Sequence, residues 1–159
     1  MQALELQTRL RNIAEELLGR QVAAKKATAF EPSAAKPAAV AIYGTESGPP
    51  LGLVVCELTL AAHLGAALSM MPAGAAETAA RSKKLDGNLL ENFQEVCNIW
   101  AQLFTESREE RVVLQRIEPS ITQLPAALKP PAVTVSLRAD ATLEIDRYGG
   151  GAISARILG

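Results

Sequence analysis

The sequence predicts an α+β domain in which a mainly antiparallel sheet packs against long amphipathic helices. Three observations carry that expectation. Apolar residues recur at steps of three and four over residues 6–17 and again over 89–103, the period of a helix with one buried face. Short runs that alternate, or are wholly apolar, lie between and after these stretches and are bounded by Gly and Pro, as strands joined by turns are. The order helix, strands, helices, strands keeps elements of one kind together.

Leu6, Leu10, Ile13 and Leu17 set the first helix, with Arg9, Arg11, Glu15 and Glu16 on its other faces and Gly19 as a C-cap. A weakly alternating segment, 22–30, leads to an Ala/Pro loop over 32–37. Residues 39–43 and 51–58 are apolar runs separated by GTESGPP, the pattern of a β-hairpin. Thr59 is placed to cap a helix over 60–71 that Pro72 ends, and an alanine-rich helix is expected over 74–82. Asp86 then caps a long helix reaching Phe104. Residues 111–117 read as a strand, and Pro119, Pro125, Pro130 and Pro131 punctuate a connection over 119–131. Val133, Val135 and Leu137 alternate with polar residues in a half-buried strand, and Leu143 and Ile145 belong to the next. The glycines at 149–151 turn the chain into a last strand, 153–158, a candidate sheet edge.

Composition narrows the function classes. At 159 residues the chain is read as a single domain, and 48% apolar residues with only 4% aromatics imply an aliphatic core packed closely against small side chains. A net charge of −1 argues against nucleic acid as a main partner, because the only basic clusters, Lys25–Lys26 and Arg81–Lys83–Lys84, are short. Cys56 and Cys97 sit in apolar surroundings and read as reduced, buried thiols. The first residues are charged throughout, without the apolar core of a secretory signal, and no window nears the ~20 apolar residues that span a bilayer. The expectation is a cytoplasmic protein that does not enter membranes.

Enzyme signatures are mostly missing: no Walker A sequence, GxGxxG, HExxH or Cys/His metal spacing occurs. His63 is the only histidine, which removes triad chemistry and multi-histidine metal sites, and it reads as a packed or surface residue. Trp100, Met70 and Met71 occupy apolar helix positions and are assigned to the core. What stands out is the helix over 86–104. Leu89, Phe93, Val96, Trp100 and Leu103 share one side, while Glu91, Glu95, Asn98 and Gln102 follow each other on the opposite side with no Lys or Arg among them. Solvated helix faces usually mix signs, since each i,i+4 acid–base pair adds roughly 0.2–0.5 kcal/mol. A face without such pairs is a candidate for meeting something else.

Glu95-Val96-Cys97-Asn98 resembles the Glu-x-x-Asn core of the CheC/CheX/FliY family, phosphatases of the chemotaxis response regulator CheY. Glu91 stands four positions before Glu95, where the family carries an acidic residue or serine. The placement of the motif on a long helix after a sheet segment and a shorter helix is also similar to that family. So is the opening helix, LRNIAEELLGRQV. The chain departs from the pattern in three ways. Glu91 is longer by a methylene than the usual Asp, Pro119 comes two residues early, and one motif copy is present, as in CheX-like members, rather than two. The resemblance implies a CheX/CheC-like fold, Glu95 and Asn98 as catalytic residues, and Glu91 and Gln102 as flanking partner contacts. It further implies a phosphorylated CheY-like receiver domain as partner, a homodimer, and no cofactor of its own, with Mg²⁺ carried by the receiver. A non-catalytic CheX-like adaptor that binds a receiver or a flagellar-switch partner is the alternative reading.

Overall fold

The first helix forms where the period places it: α1 (Ala3–Leu18) buries Leu6, Leu10 and Ala14 and ends at Gly19, whose φ of 65° is the left-handed C-cap that glycine adopts without strain. A computed structural model describes residues 1–105 and 108–159. A short strand, β1 (Val22–Lys26), follows, and the hairpin expected next is present as β2 (Ala38–Gly44) and β3 (Pro50–Glu57) in antiparallel register. Then come α2 (Leu58–Leu68), α3 (Ala73–Ser82), α4 (Gly87–Trp100) and a separate short turn of helix, α5 (Gln102–Thr105). The chain closes with β4 (Val113–Ile121), β5 (Val135–Ile145) and β6 (Gly150–Leu158).

These strands form one six-stranded sheet in the order β1-β5-β6-β3-β2-β4, with neighbouring strands antiparallel throughout. That order is a palindrome. Exchanging β1 with β4, β2 with β5 and β3 with β6, then reading backwards, returns the same sheet. The same exchange carries α1, which precedes β1, onto α4–α5, which precedes β4. The α+β class and the antiparallel sheet are therefore as the sequence predicts.

The helices cover one face. The larger core joins Leu10, Leu60, Leu64, Phe93, Val96 and Trp100 to the inward residues of the sheet. A smaller core on the other face gathers Phe30, Val40, Ile42, Leu53, Val55, Leu124 and Leu128 beneath irregular chain. Buried Arg156 and partly buried Arg138 pin that chain, both donating to the Phe30 carbonyl, at 2.8 and 3.0 Å. Asp140 accepts from the Phe30 N–H at 2.8 Å. Each buried polar group here meets a partner, as burial demands.

Several sequence expectations are corrected. The strand ending at Ile121 runs through Pro119, so the irregular connection starts later than residue 119 and contains a short 3-10 turn, Ala126–Leu128. Proline is tolerated because β4 is an edge strand. The two strands expected around 133–145 are one, β5, in which Arg138, Asp140 and Thr142 alternate with buried Ala139 and Ala141. Thr59 lies inside α2, whose N-cap is Glu57. Met70 is not core: it turns the chain after α2 with φ +54° and is 78% exposed. The terminal strand is interior, paired with β5 and β3, and the free edges belong to β1 and β4.

Candidate functional site

The polar stripe rests on a helix held from three directions. Toward α1, Trp100 is fully buried, stacks edge-on against Phe93 and donates its Nε1–H to the Leu10 carbonyl at 3.1 Å. Toward α2, the Asn92 amide donates to Gly65 O at 2.9 Å and Ser69 Oγ at 2.8 Å. Gly65 is what lets the helices come that close: a Cβ there would stand 2.5 Å from the Leu89 carbonyl oxygen. Toward the sheet, the Tyr43 hydroxyl donates to the Cys97 carbonyl at 2.6 Å. With three faces so engaged, the remaining one is fixed in direction.

That face carries Glu91, Glu95 and Asn98, all exposed and all on α4, with Glu95 and Asn98 nearly one turn apart. Gln102 is exposed as well but belongs to α5, because the expected helix breaks at Ala101, where the backbone tightens into Ala101 N–H to Asn98 O (3.3 Å). The Leu103–Phe104 pair continues the apolar pattern across this break, so the pattern alone does not reveal it. Among the described residues none of the four stripe side chains has a hydrogen-bond or ion-pair partner. A carboxylate and an amide held in register and unsatisfied by the fold are able to accept from an ammonium and to orient a water, respectively.

Other candidates fall away on geometry. Cys97 lies on the buried side of α4, and burial pushes its thiol well above the ordinary range, so it is not a nucleophile. Cys56 is likewise buried and free. His63 is packed rather than exposed, its Nδ1 accepting the Gly149 N–H at 3.1 Å. Among the described residues no three His, Cys, Asp or Glu side chains are grouped to hold a metal ion, and no helix is long and apolar enough to cross a membrane.

Two clefts flank Ile99 and Gln102, and both join α4–α5 to α1. One, of about 350 Å³, is lined by Ile13, Glu16 and Leu17 from α1. The other, of about 420 Å³, brings Arg9 of α1 and Arg111 before β4 beside Asn98 and Gln102. Arg9 and Arg111 escaped the sequence reading as site residues. A signal for Arg9 exists: Glu5, Arg9 and Asn12 have the same spacing as Glu91, Glu95 and Asn98, and buried Leu10 and Ala14 keep step with buried Val96 and Trp100. Comparing the two helices position by position exposes it. Arg111 carries no such signal.

No family model matches the sequence, and no curated protein matches it. Solved structures do. The chain is similar to a chain of the FliM–SpeE complex from H. pylori, with TM-score 0.63, 10% identity and coverage of 97% of this chain and 82% of that one. It is similar to FliY of Thermotoga maritima, with TM-score 0.52, 15% identity and coverage of 98% and 90%. A chain of the CheX–CheY–BeF3–Mg²⁺ complex from Borrelia burgdorferi matches with TM-score 0.50, 9% identity and coverage of 98% and 97%. At these identities the likeness is one of fold, and the fold of this chain is the one seen in the CheX, FliY and FliM structures.

Proposed function

We propose that the chain is a phosphatase acting on the phospho-aspartate of a CheY-like receiver domain, in chemotaxis or related two-component signalling. The observation that carries this reading is the Glu95–Asn98 pair: exposed on a rigidly held helix, a turn apart, and without a polar partner among the described residues. The shared fold and the Glu-x-x-Asn resemblance support it.

Hydrolysis of an aspartyl phosphate needs a water in line with the bond that breaks. The water oxygen bonds to phosphorus, the phosphorus–oxygen bond to the aspartate breaks, the carboxylate leaves and the water's proton passes to solvent. Little is left for a helper protein beyond positioning. Asn98 suits this, its carbonyl accepting from the water and its amide donating to a phosphoryl oxygen. Glu95 pairs with the receiver's active-site lysine and fixes the docking register, while Glu91 and Gln102 border the contact. Mg²⁺ comes with the receiver. A homodimer in this reading has the two free sheet edges, β1 and β4, to pair through.

The test is phosphate release from a phosphorylated CheY-like receiver with substoichiometric wild type and Asn98→Ala in parallel. Multiple turnovers with wild type and none with the variant are expected. Equal release from both sinks the assignment. The second reading, a non-catalytic adaptor, is favoured by the longer Glu91 at a position where the family carries Asp or Ser. It predicts binding at fixed ratio with no acceleration.

A further inference from the structure

The break between α4 and α5 falls inside the polar stripe, with Asn98 before it and Gln102 after it. A continuous helix would bond the Ala101 N–H to the Cys97 carbonyl, one turn back. Here that N–H turns to Asn98 O at 3.3 Å, and the Cys97 carbonyl is left to a side chain of the sheet. The donor is Tyr43, fully buried on β2, whose hydroxyl meets Cys97 O at 2.6 Å. Burial pushes that hydroxyl's pKa well above the ordinary phenol value, so the proton stays in place as a donor. The same ring lies beside Phe104 of α5, with centroids 4.8 Å apart and planes inclined at 33°. Room for Phe104 comes from Gly52, the residue opposite Tyr43 on β3. A Cβ at Gly52 would stand 2.4 Å from the Phe104 ring. The register of β2 also shifts on both sides of Tyr43, toward β4 after Ile42 and toward β3 before Gly44. Such irregularities re-aim a side chain.

We propose that Tyr43 is a positioning residue for the stripe. Its hydroxyl fixes the last turn of α4 while its ring packs on α5, so one side chain sets the offset between Asn98 and Gln102. A buried carbonyl stripped of its donor is costly, so without the hydroxyl the end of α4 turns or frays toward water. Asn98 follows Cys97 directly and rides on that turn. Tyr43 lies wholly inside the protein and acts only through the residues it holds. The catalytic consequence rests on the phosphatase reading, and the positioning itself does not. In that reading a displaced Asn98 misplaces the attacking water, whereas Glu95, nearly a turn earlier, still docks the receiver.

Tyr43→Phe keeps the ring and removes the hydroxyl. Leu128→Ala, in the smaller core on the far face of the sheet, is the comparison variant, destabilised away from α4. Amide hydrogen exchange of the chain by itself reads the positioning. Exchange at Ala101 and Gln102, corrected for each variant's global stability, is expected to rise at least about tenfold in Tyr43→Phe and not in Leu128→Ala. In wild type the Tyr43 hydroxyl proton is expected as a slowly exchanging resonance, and its absence would overturn the bond without any variant. Receiver turnover reads the consequence: kcat falls about tenfold in Tyr43→Phe while KM stays within about twofold. Exchange at Ala101 and Gln102 no faster in Tyr43→Phe than in Leu128→Ala overturns the inference. So does an unchanged kcat in Tyr43→Phe beside a wild type that turns over. A wild type that releases no phosphate from any receiver removes the phosphatase reading, and exchange then decides the positioning alone.

Discussion

Two helices of this protein share a spacing and have opposite fates. Glu5, Arg9 and Asn12 on α1 correspond in step to Glu91, Glu95 and Asn98 on α4, and buried Gln7, Leu10 and Ala14 match buried Phe93, Val96 and Trp100. On α1 the asparagine and the charged residues beside it are engaged by the protein itself. Arg11 pairs with Glu15 at 3.3 Å and holds the Asn12 carbonyl, and Glu15 accepts the Val22 N–H at 3.1 Å at the start of β1. On α4 the corresponding asparagine and its glutamates have no such partners among the described residues. A face whose groups satisfy one another supports the fold. A face whose groups are fixed but unsatisfied is ready for something outside it.

The comparison is broken most severely at the joint between the two helices. Trp100 is fully buried and reaches across to the Leu10 carbonyl, whereas the matching position on α1 is Ala14. Trp100→Ala is expected to cost about 3–5 kcal/mol in urea unfolding, through the lost transfer energy and the cavity left behind. A loss under about 1 kcal/mol would show that α1 and α4 are not locked together and that the stripe is not held rigidly.

Next comes the pair of asparagines. Asn98→Ala is expected to lower receiver dephosphorylation by about 100-fold, the scale of losing one positioned transition-state donor. Asn12→Ala, at the matching place on α1, stays within about twofold, because its carbonyl is occupied by Arg11. Parallel single-turnover assays decide it, and equal losses would erase the distinction between the helices.

How much of this could be read from the sequence follows from which effects are local. The helical faces were legible because a period of 3.6 and a C-cap glycine are encoded within each segment. Glu95 and Asn98 were legible as a spaced pair. The break at Ala101 was not, since Leu103 and Phe104 stay in phase with the apolar side on either backbone. The continuity of β5 was obscured by Arg138 and Asp140, whose partial burial is made tolerable by their pairing with each other and by Phe30 and Glu31, more than a hundred residues away in sequence. The interior place of β6 depends on which strands flank it, which no property of residues 150–158 encodes. Arg9 and Arg111 meet Asn98 only because α1 docks on α4 and the chain returns to begin β4.

A smaller effect sharpens the contrast in charge. Glu95→Lys is expected to weaken receiver binding about tenfold, by placing a cation where the partner's ammonium is to dock. Glu5→Lys, an acid-to-base change on α1 at the position that matches Glu91, should leave the affinity unchanged. Anisotropy titrations at two salt concentrations measure both, and the Glu95→Lys loss should shrink as salt rises. An unaltered affinity in Glu95→Lys would leave Glu95 without a docking role.

The limiting case is α2, a helix with almost no outer face, whose one titratable side chain is His63. Burial holds its pKa below the ordinary imidazole value, outweighing the opposite pull of Glu77 on α3 and Glu144 on β5. The geometry agrees, because Nδ1 accepts the Gly149 N–H and a proton there would displace that bond. A folded pKa below the unfolded one means that the unfolded chain binds the proton more readily. Stability from this group is therefore complete above about pH 6.5 and declines as pH falls below it. Denaturant midpoints should fall with acidification in wild type and fall less in His63→Gln, whose amide nitrogen or oxygen does not titrate. Identical slopes for the two would mean that His63 is as accessible to protons in α2 as the stripe is on α4, and the distinction between inner and outer helix faces would fail at its clearest point.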